Sequence, residues 1–322
     1  MKVIHLVTED CYGAGRAAIR ISNALSEEIE SCVYVIRKKE NTGTREISFS
    51  FVEKIKKKIT QKINEDYAKA LKPKELFHIE RFGISIDTLL NKEKPDLLHL
   101  HYLNDGLYSD SLIKSLAKKR VPIVWTLHDM WSFTGGCHYD NYCGGYVDKC
   151  ADCALIDKKK DVIKKRLIEK TKLFCDCNIQ FVGCSKWITE EFNKSYIGRM
   201  QKNKCIAIPN PIDDFISTDI RKDLHDKKVI LFGAVNATKD KRKGFEYLEN
   251  ALKKLDSSKY KIKYFGANEK LNNRFEMESE SLGYISDDSK LKKIYADADV
   301  FVAPSIQENL ANTVLEALSS GT

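Results

Sequence analysis

Short apolar, β-branched runs alternate with helix-like segments along the whole chain, and this alternation limits the fold more than any other feature. In the first two thirds, residues 3–7, 32–36, Leu97–Leu100, 122–126 and 179–182 read as strands, with helices such as 15–28 and 109–119 between them. An apolar run over 205–209 then meets Asn210-Pro211-Ile212-Asp213, where prolines at 209 and 211 break any regular element. Residues 209–213 are therefore read as a linker between a domain at 1–208 and another at 214–322. Beyond the linker the same grammar restarts, with strands at 228–232, 261–265, 282–285 and 300–303 and helices at 244–255, 289–296 and 311–320. The expected fold class is α/β, with a parallel sheet in each domain. Its length of 322 residues suits two domains at roughly 150 residues each. Four strand candidates in the second half are fewer than a doubly wound half usually has, and the chain stops at Gly321-Thr322, where a helix end normally hands over to another strand.

Apolar residues make up 43% and charged residues 31%, which excludes a disordered chain. No apolar run reaches the roughly 18 residues a transmembrane helix needs. Residues 1–10 have no long apolar core or small-residue cleavage site, so they read as a first strand and the protein as cytoplasmic. The net charge of +8 favours polyanions or phosphorylated ligands, yet only 11 of the 54 basic residues are Arg. Base readers lean on bidentate Arg, so no nucleic-acid partner is expected. With no secretory leader, ten Cys point to reduced thiols or a metal site.

One segment stands apart. Phe51, Ile55, Ile59, Ile63, Tyr67 and Leu71 recur at i+4 steps among Lys54, Lys56, Lys57, Lys58 and Lys62. This is a basic amphipathic helix over 51–71. Pattern alone favours a surface helix packed on the sheet; the alternative is a helix resting on anionic lipid, or walling the groove where a lipid-linked substrate enters.

The stretch Pro304 to Leu318 follows an apolar strand, so it lies at the sheet's C-terminal edge, where open α/β folds bind ligands. It carries Glu308 and Glu316. If the backbone between them is mostly helical, they stand about 12 Å apart along the axis and about 80° apart around it. They then cannot share a proton or a metal, but can hold two ends of an extended ligand, such as a ribose and a sugar flanking a diphosphate. Upstream, Arg242 and Lys243 follow the strand ending at Phe232 and can neutralise that diphosphate. The plainer alternatives are solvated glutamates and a solvated basic turn. In the first half, Gly13-Ala14-Gly15-Arg16 lets backbone approach a phosphate, but without a third glycine it is a weak dinucleotide signal. His128 and Asp129 sit at another C-terminal strand edge, as structural or functional residues. Next, in the loop 131–157, Cys137-x5-Cys143-x6-Cys150-x2-Cys153 suits a closed structural zinc site, with four buried free thiols as the alternative.

Together these residues resemble glycosyltransferase family 4, retaining enzymes with the GT-B architecture of two Rossmann-like domains facing a cleft. The resemblance rests on Glu308-x7-Glu316, Arg242-Lys243-Gly244, the 208–213 linker and Gly13-Ala14-Gly15-Arg16. The stretch Thr126-Leu127-His128-Asp129-Met130-Trp131 through Cys137 is similar to the bacterial exopolysaccharide, colanic acid and O-antigen subgroup. The resemblance implies transfer of a hexose from a UDP- or GDP-sugar to a saccharide on a polyprenyl carrier, at the inner face of the membrane, in exopolysaccharide or lipopolysaccharide synthesis. Within it Glu316 takes the ribose, Lys243 with Arg242 the diphosphate, Glu308 the transferred sugar, and the Asn309-Leu310 backbone its hydroxyls. His128 contacts the donor sugar from the opposite domain, and Gly15 lies near the phosphates or acceptor. No catalytic metal is implied; the departing phosphate oxygen accepts the acceptor's proton in a same-face attack, and electrostatic stabilisation is the protein's main task. Gly233-Ala234-Val235 stands where many members carry Arg, and the family continues past its Gly-Thr, so the second domain is expected to be incomplete. A nucleotide-sugar epimerase on the same fold, or an inactive nucleotide- or zinc-binding remnant, is the alternative.

Overall fold

The computed structural model describes residues 1–157, 159–212, 226–235, 237–266 and 274–322. They form two compact units, Met1–Pro211 and Ile212–Thr322. Asp213, the last residue of the expected linker, lies outside the described residues.

The first unit holds β1 (Lys2–Glu9), β2 (Glu30–Arg37), β3 (Arg45–Glu46), β4 (Leu97–Leu100), β5 (Ile123–Leu127), β6 (Ile179–Gly183) and β7 (Ile206–Ala207), all parallel in the order β3-β2-β1-β4-β5-β6-β7. Its helices are α1 (Tyr12–Leu25), α2 (Phe51–Ala70), α3 (Asp87–Glu93), α4 (Asp110–Lys119), α5 (Lys160–Cys175), α6 (Lys186–Lys194) and α7 (Tyr196–Met200). Helices cover both faces of such a sheet, so β1 is buried along nearly its whole length rather than alternating. Ile4 and Leu6 join the large cluster with Leu98, Trp125 and Phe181, while Val7 packs on the other face against Ala18, Val33 and Val35. Serine caps fix where helices begin: Ser109 accepts from Leu112 N and Ser185 from Ile188 N.

In the second unit β8 (Lys228–Gly233), β9 (Tyr260–Phe265), β10 (Ser279–Ser281) and β11 (Val300–Val302) run parallel in the order β10-β9-β8-β11, with α8 (Phe245–Leu252), α9 (Asp288–Asp297) and α10 (Asn312–Ser319). The expected strand at 282–285 is displaced to Ser279–Ser281. Leu282 N still donates to Tyr264 O at 2.8 Å, but Gly283, at φ 68°, turns the chain away. Ile285 packs with Leu291 and Tyr295. In each sheet, strand order reverses beside the first strand, between β1 and β4 and between β8 and β11. Those are the switch points where a ligand crevice opens at the C-terminal edge.

Helix α2 packs on the first unit, as the plainer reading expected, but of the apolar stripe only Leu71, at its C-terminal end, is buried in the core. Ser50 caps it in a reciprocal box with Glu53. Its inward seam is polar: Lys57 Nζ donates to Ile36 O, Gln61 Nε2 to Asp105 O, and buried Asn64 to Glu80 and to Phe82 O. Ile55, Ile59, Ile63 and Tyr67, two positions out of phase and so about 200° round the helix, face outward with Phe51. Phe51 is 78% exposed and Ile59 55%. Among the described residues no helix is long and apolar enough to cross a membrane.

Candidate functional site

In the second unit two loops meet at the β8/β11 switch point. The loop after β8 ends in a short 3-10 turn, Lys241–Lys243, capped by Asp240, whose carboxylate accepts from Arg242 N at 3.1 Å. The loop after β11 crosses it, with Ile306 N donating to Arg242 O at 2.8 Å. Gly244 makes this approach possible. Its φ is 69°, and a Cβ there would overlap Pro304 O and stand 2.8 Å from Pro304 C. Arg242 spans the junction, with Nη1 donating to Gln307 O at 2.9 Å and Glu308 Oε2 at 3.0 Å, and Nη2 to Asp240 Oδ2 at 3.0 Å. Lys243 Nζ donates to the same Glu308 oxygen at 2.5 Å, and Asn309 N to Oε1 at 3.2 Å. Burial pushes the Glu308 carboxyl up, but the charges and hydrogen bonds of Lys243 and Arg242 outweigh it and hold it below the usual carboxylate range.

The structure corrects the helical link between Glu308 and Glu316. Residues 308–311 are non-helical, because α10 starts only at Asn312. Glu316 lies within α10, buried, and accepts a hydrogen bond from Tyr295 OH at 3.1 Å. Leu310 sits in the loop between the two carboxylates, half-buried.

In the first unit Gly15 is buried in α1. A Cβ on it would overlap Glu9 O and stand 2.8 Å from Asp10 C, so its smallness serves packing of α1 onto the end of β1. His128 follows β5 and belongs to a chain of imidazoles that crosses the sheet edge. His5 Nε2 meets Ser31 Oγ at 3.1 Å and His5 Nδ1 meets His101 Nε2 at 3.2 Å, while His101 Nδ1 meets His128 Nε2 at 3.0 Å. Burial pushes His5 and His128 down to about 4 and His101 well below the usual value. These rings are neutral at neutral pH.

A second network holds Asp129. Asp105 Oδ1 lies 3.2 Å from His78 Nε2, His78 Nδ1 lies 2.6 Å from His138 Nε2, and His138 Nδ1 lies 2.7 Å from Asp129 Oδ2. Three hydrogen bonds need three protons, and two neutral imidazoles bring only two. The chain therefore carries one extra proton and a net charge of −1. His78 is where it resides: burial lowers its affinity for a proton, but Asp105, with Glu80 and Asp129, raises it above the usual value. Glu80, which accepts from Asn64 Nδ2, is pushed up to about 7 by burial.

Sequence reasoning singled out His128 and missed His5, His101, His78 and His138. A signal was present: His99-x-His101 has strand period 2, and His5 pairs with His99 in register between β1 and β4. The cysteines of the 131–157 loop converge too. Cys137, Cys143, Cys150 and Cys153 line one cavity of about 10 Å³ with Asp140 and Tyr146. Cys143 is exposed and the other three are buried.

Two parallel-sheet units with polar side chains gathered at their switch points define a protein of the GT-B class, built from paired Rossmann-like folds. Comparison with known proteins agrees. Residues 12–214 match the family model described as Glycosyltransferase Family 4, and residues 226–322 the model described as Glycosyl transferases group 1. The chain belongs to glycosyltransferase family 4. Over 154 residues it is 29% identical to an Escherichia coli (strain K12) protein named "Putative colanic acid biosynthesis glycosyl transferase WcaC", covering 43% of this chain and 37% of that protein. The match thus spans little more than a third of the curated relative. Among solved structures, WaaG, a glycosyltransferase involved in lipopolysaccharide biosynthesis, superposes with a TM-score of 0.60 at 13% identity, covering 99% of this chain and 79% of that one. A mutant of S. aureus TarM, solved in complex with Fondaparinux, alpha-GlcNAc-glycerol and UDP, gives 0.57 at 12% identity, covering 99% and 84%. At these identities the likeness speaks for the fold.

Proposed function

We propose that the protein is a retaining glycosyltransferase that moves a hexose from a UDP- or GDP-sugar to a lipid-linked saccharide in cell-surface polysaccharide synthesis. The observation that carries this is the Arg242–Lys243–Glu308 cluster at the β8/β11 switch point. Two cations there suit a diphosphate leaving group, and a carboxylate beside them suits sugar hydroxyls. Lys243, supported by Arg242, neutralises the phosphate as the glycosidic bond breaks. Glu308 and the backbone at Asn309 and Leu310 hold the sugar, Glu316 the ribose, and neutral His128 offers a hydrogen bond to a sugar hydroxyl. Gly15 is assigned packing of the first strand–helix turn that lies near the phosphates or acceptor. The exposed apolar stripe of α2, flanked by lysines, supports binding to anionic lipid, which would bring the enzyme to a polyprenyl-linked acceptor.

Donor turnover with UDP- and GDP-hexoses tests the reading, with UDP and GDP binding followed by calorimetry. Glu316→Ala is expected to lower donor affinity by at least tenfold, in line with loss of a charged hydrogen bond of about 1.5–3 kcal/mol. Equal binding and turnover in the variant and the parent would sink the site assignment.

A further inference from the structure

The cysteine-lined cavity does not belong to the sugar-transfer chemistry above, and its surroundings point to a metal. Three of its thiols are buried at 4–5% exposure. The other metal-binding side chains nearby are already engaged. Asp140 accepts from Tyr142 N at 3.2 Å and Gly144 N at 2.8 Å, and His138 is held between His78 and Asp129. That leaves an all-sulfur donor set, the soft set preferred by zinc over magnesium or calcium.

One backbone amide already faces a sulfur of the set: Gly145 N donates to Cys143 Sγ at 3.4 Å. Beside the site Lys170, 1% exposed, donates to Trp131 O and Thr134 O.

We infer that Cys137, Cys143, Cys150 and Cys153, which line one cavity, bind one structural Zn²⁺ as a tetrathiolate. Among the described residues, the side-chain groups whose donor atoms already lie mutually within 4.8 Å are His5, His99 and His101, and His78, Glu80 and Asp105. The four sulfurs stand wider round their cavity, so binding draws them together, the buried Cys137, Cys150 and Cys153 as well as the exposed Cys143. The ion then cross-links residues 137–153 within the 131–157 loop. Cys137 adjoins His138, whose Nδ1 holds Asp129, and Met130 N donates to His138 O at 2.9 Å. Metal binding thereby fixes the backbone beside His128, a consequence for turnover that rests on the glycosyltransferase reading; the metal site itself does not.

The test is elemental analysis of the full-length chain purified under reducing conditions, which needs no substrate. One zinc per chain is expected, and fewer than about one in ten chains loaded in Cys150→Ser/Cys153→Ser. Because that variant can fail to fold, the parent protein is also titrated with an organomercurial while released zinc is followed by a chelating dye. The chain has ten thiols, six of them outside the site, and one zinc per chain should have left by the time all ten are modified. Exchange with Co²⁺ should give an intense thiolate-to-metal charge-transfer band and the d–d bands of tetrahedral cobalt. Metal-free parent protein that takes up Co²⁺ without that band, or zinc retained at one per chain in the folded double-serine variant, would overturn the inference.

Discussion

Gly244→Ala tests whether the 240–244 and 304–308 loops are joined as described. Two costs follow from the geometry. An alanine held at φ 69° loses about 1–2 kcal/mol relative to glycine. The new Cβ also meets backbone: it overlaps Pro304 O and stands 2.8 Å from Pro304 C, where ordinary contact begins at 3.4 Å. No side chain can rotate away, so the Pro304 peptide must move or its dihedrals distort, adding about 1–3 kcal/mol. Gly283→Ala is the internal control. Gly283 lies in the same unit at φ 68°, but a Cβ there meets nothing within 4 Å, so only the first cost applies. The difference between the variants, about 1–3 kcal/mol, isolates the loop junction. Hydrogen exchange of amides in β8 and β9 reads it, since Trp125, Trp131 and Trp187 all lie in the first unit and their fluorescence serves as a baseline that neither variant should shift. Gly244→Ala should also weaken UDP binding at least tenfold, because moving Pro304 displaces Glu308 and Arg242. If it matches Gly283→Ala in exchange and keeps the parent's UDP affinity, the junction is not built through this contact.

Lys243→Ala should cost about 1.5–3 kcal/mol of UDP affinity with little loss of stability, whereas Arg242→Ala should lose both, as calorimetry and hydrogen exchange would show. The pH dependence of the first unit has opposing parts: Glu80, pushed up to about 7, gives stability that is full below about 4.5 and lost as pH rises through 7. His5 and His101 bind protons less readily folded than unfolded, so stability falls as pH drops below about 6.5 toward the folded value of about 4 that His5 has. His78 has the opposite sign: its raised folded value gives stability that is full below 6.5 and lost as pH rises through that value. Thermal unfolding across pH should show both limbs, and His78→Gln should flatten only the alkaline one; a parent profile flat above pH 6.5 would refute the proton count. Replacing Ile55 and Ile59 with Ser should abolish sedimentation with anionic vesicles and leave UDP binding unchanged, whereas no binding by the parent would remove the lipid reading of α2.

The alternation of apolar runs and helices is enough to read the sheets, because a parallel strand buried on both faces is written as a continuous apolar run. Leu97–Leu100 is delimited by its own composition. Reading fails where tertiary context outweighs local pattern. Apolar Leu282 and Ile285 pack in the cluster around Leu291 and Tyr295, while the strand itself is the polar Ser279–Ser281. Helix α2 is legible as basic and amphipathic, yet its orientation is not, since a period of 3.6 states that two faces differ and not which one the core accepts. In the site, Arg242, Lys243 and Glu308 can be placed at one sheet edge from strand order, but their mutual hydrogen bonds depend on a crossing of loops, with Arg242 and Glu308 66 positions apart in the chain. The histidines are harder still, because register pairs only His5 with His99, and His78, His101, His128 and His138 come from loops outside the strands.

Charge balance separates the roles of the two cations. Arg242 and Lys243 face Asp240 and Glu308, so the cluster is neutral as it stands, and a diphosphate must take a cation away from a carboxylate. Arg242 is poorly placed to change partners. Its guanidinium bridges Asp240, Gln307 O and Glu308, and its own carbonyl accepts from Ile306 N, so moving it undoes the junction between the loops. Lys243 reaches Glu308 through a single ammonium on a flexible stem, and its carboxylate partner remains compensated by Arg242 if the lysine swings away. On the proposed glycosyltransferase reading Lys243 is therefore the cation free to follow a leaving phosphate, and Arg242 the fork that keeps Glu308 in place. The same division is why Arg242→Ala is expected to cost stability where Lys243→Ala is not, and on that reading Glu308 holds the lysine ready before it holds a sugar.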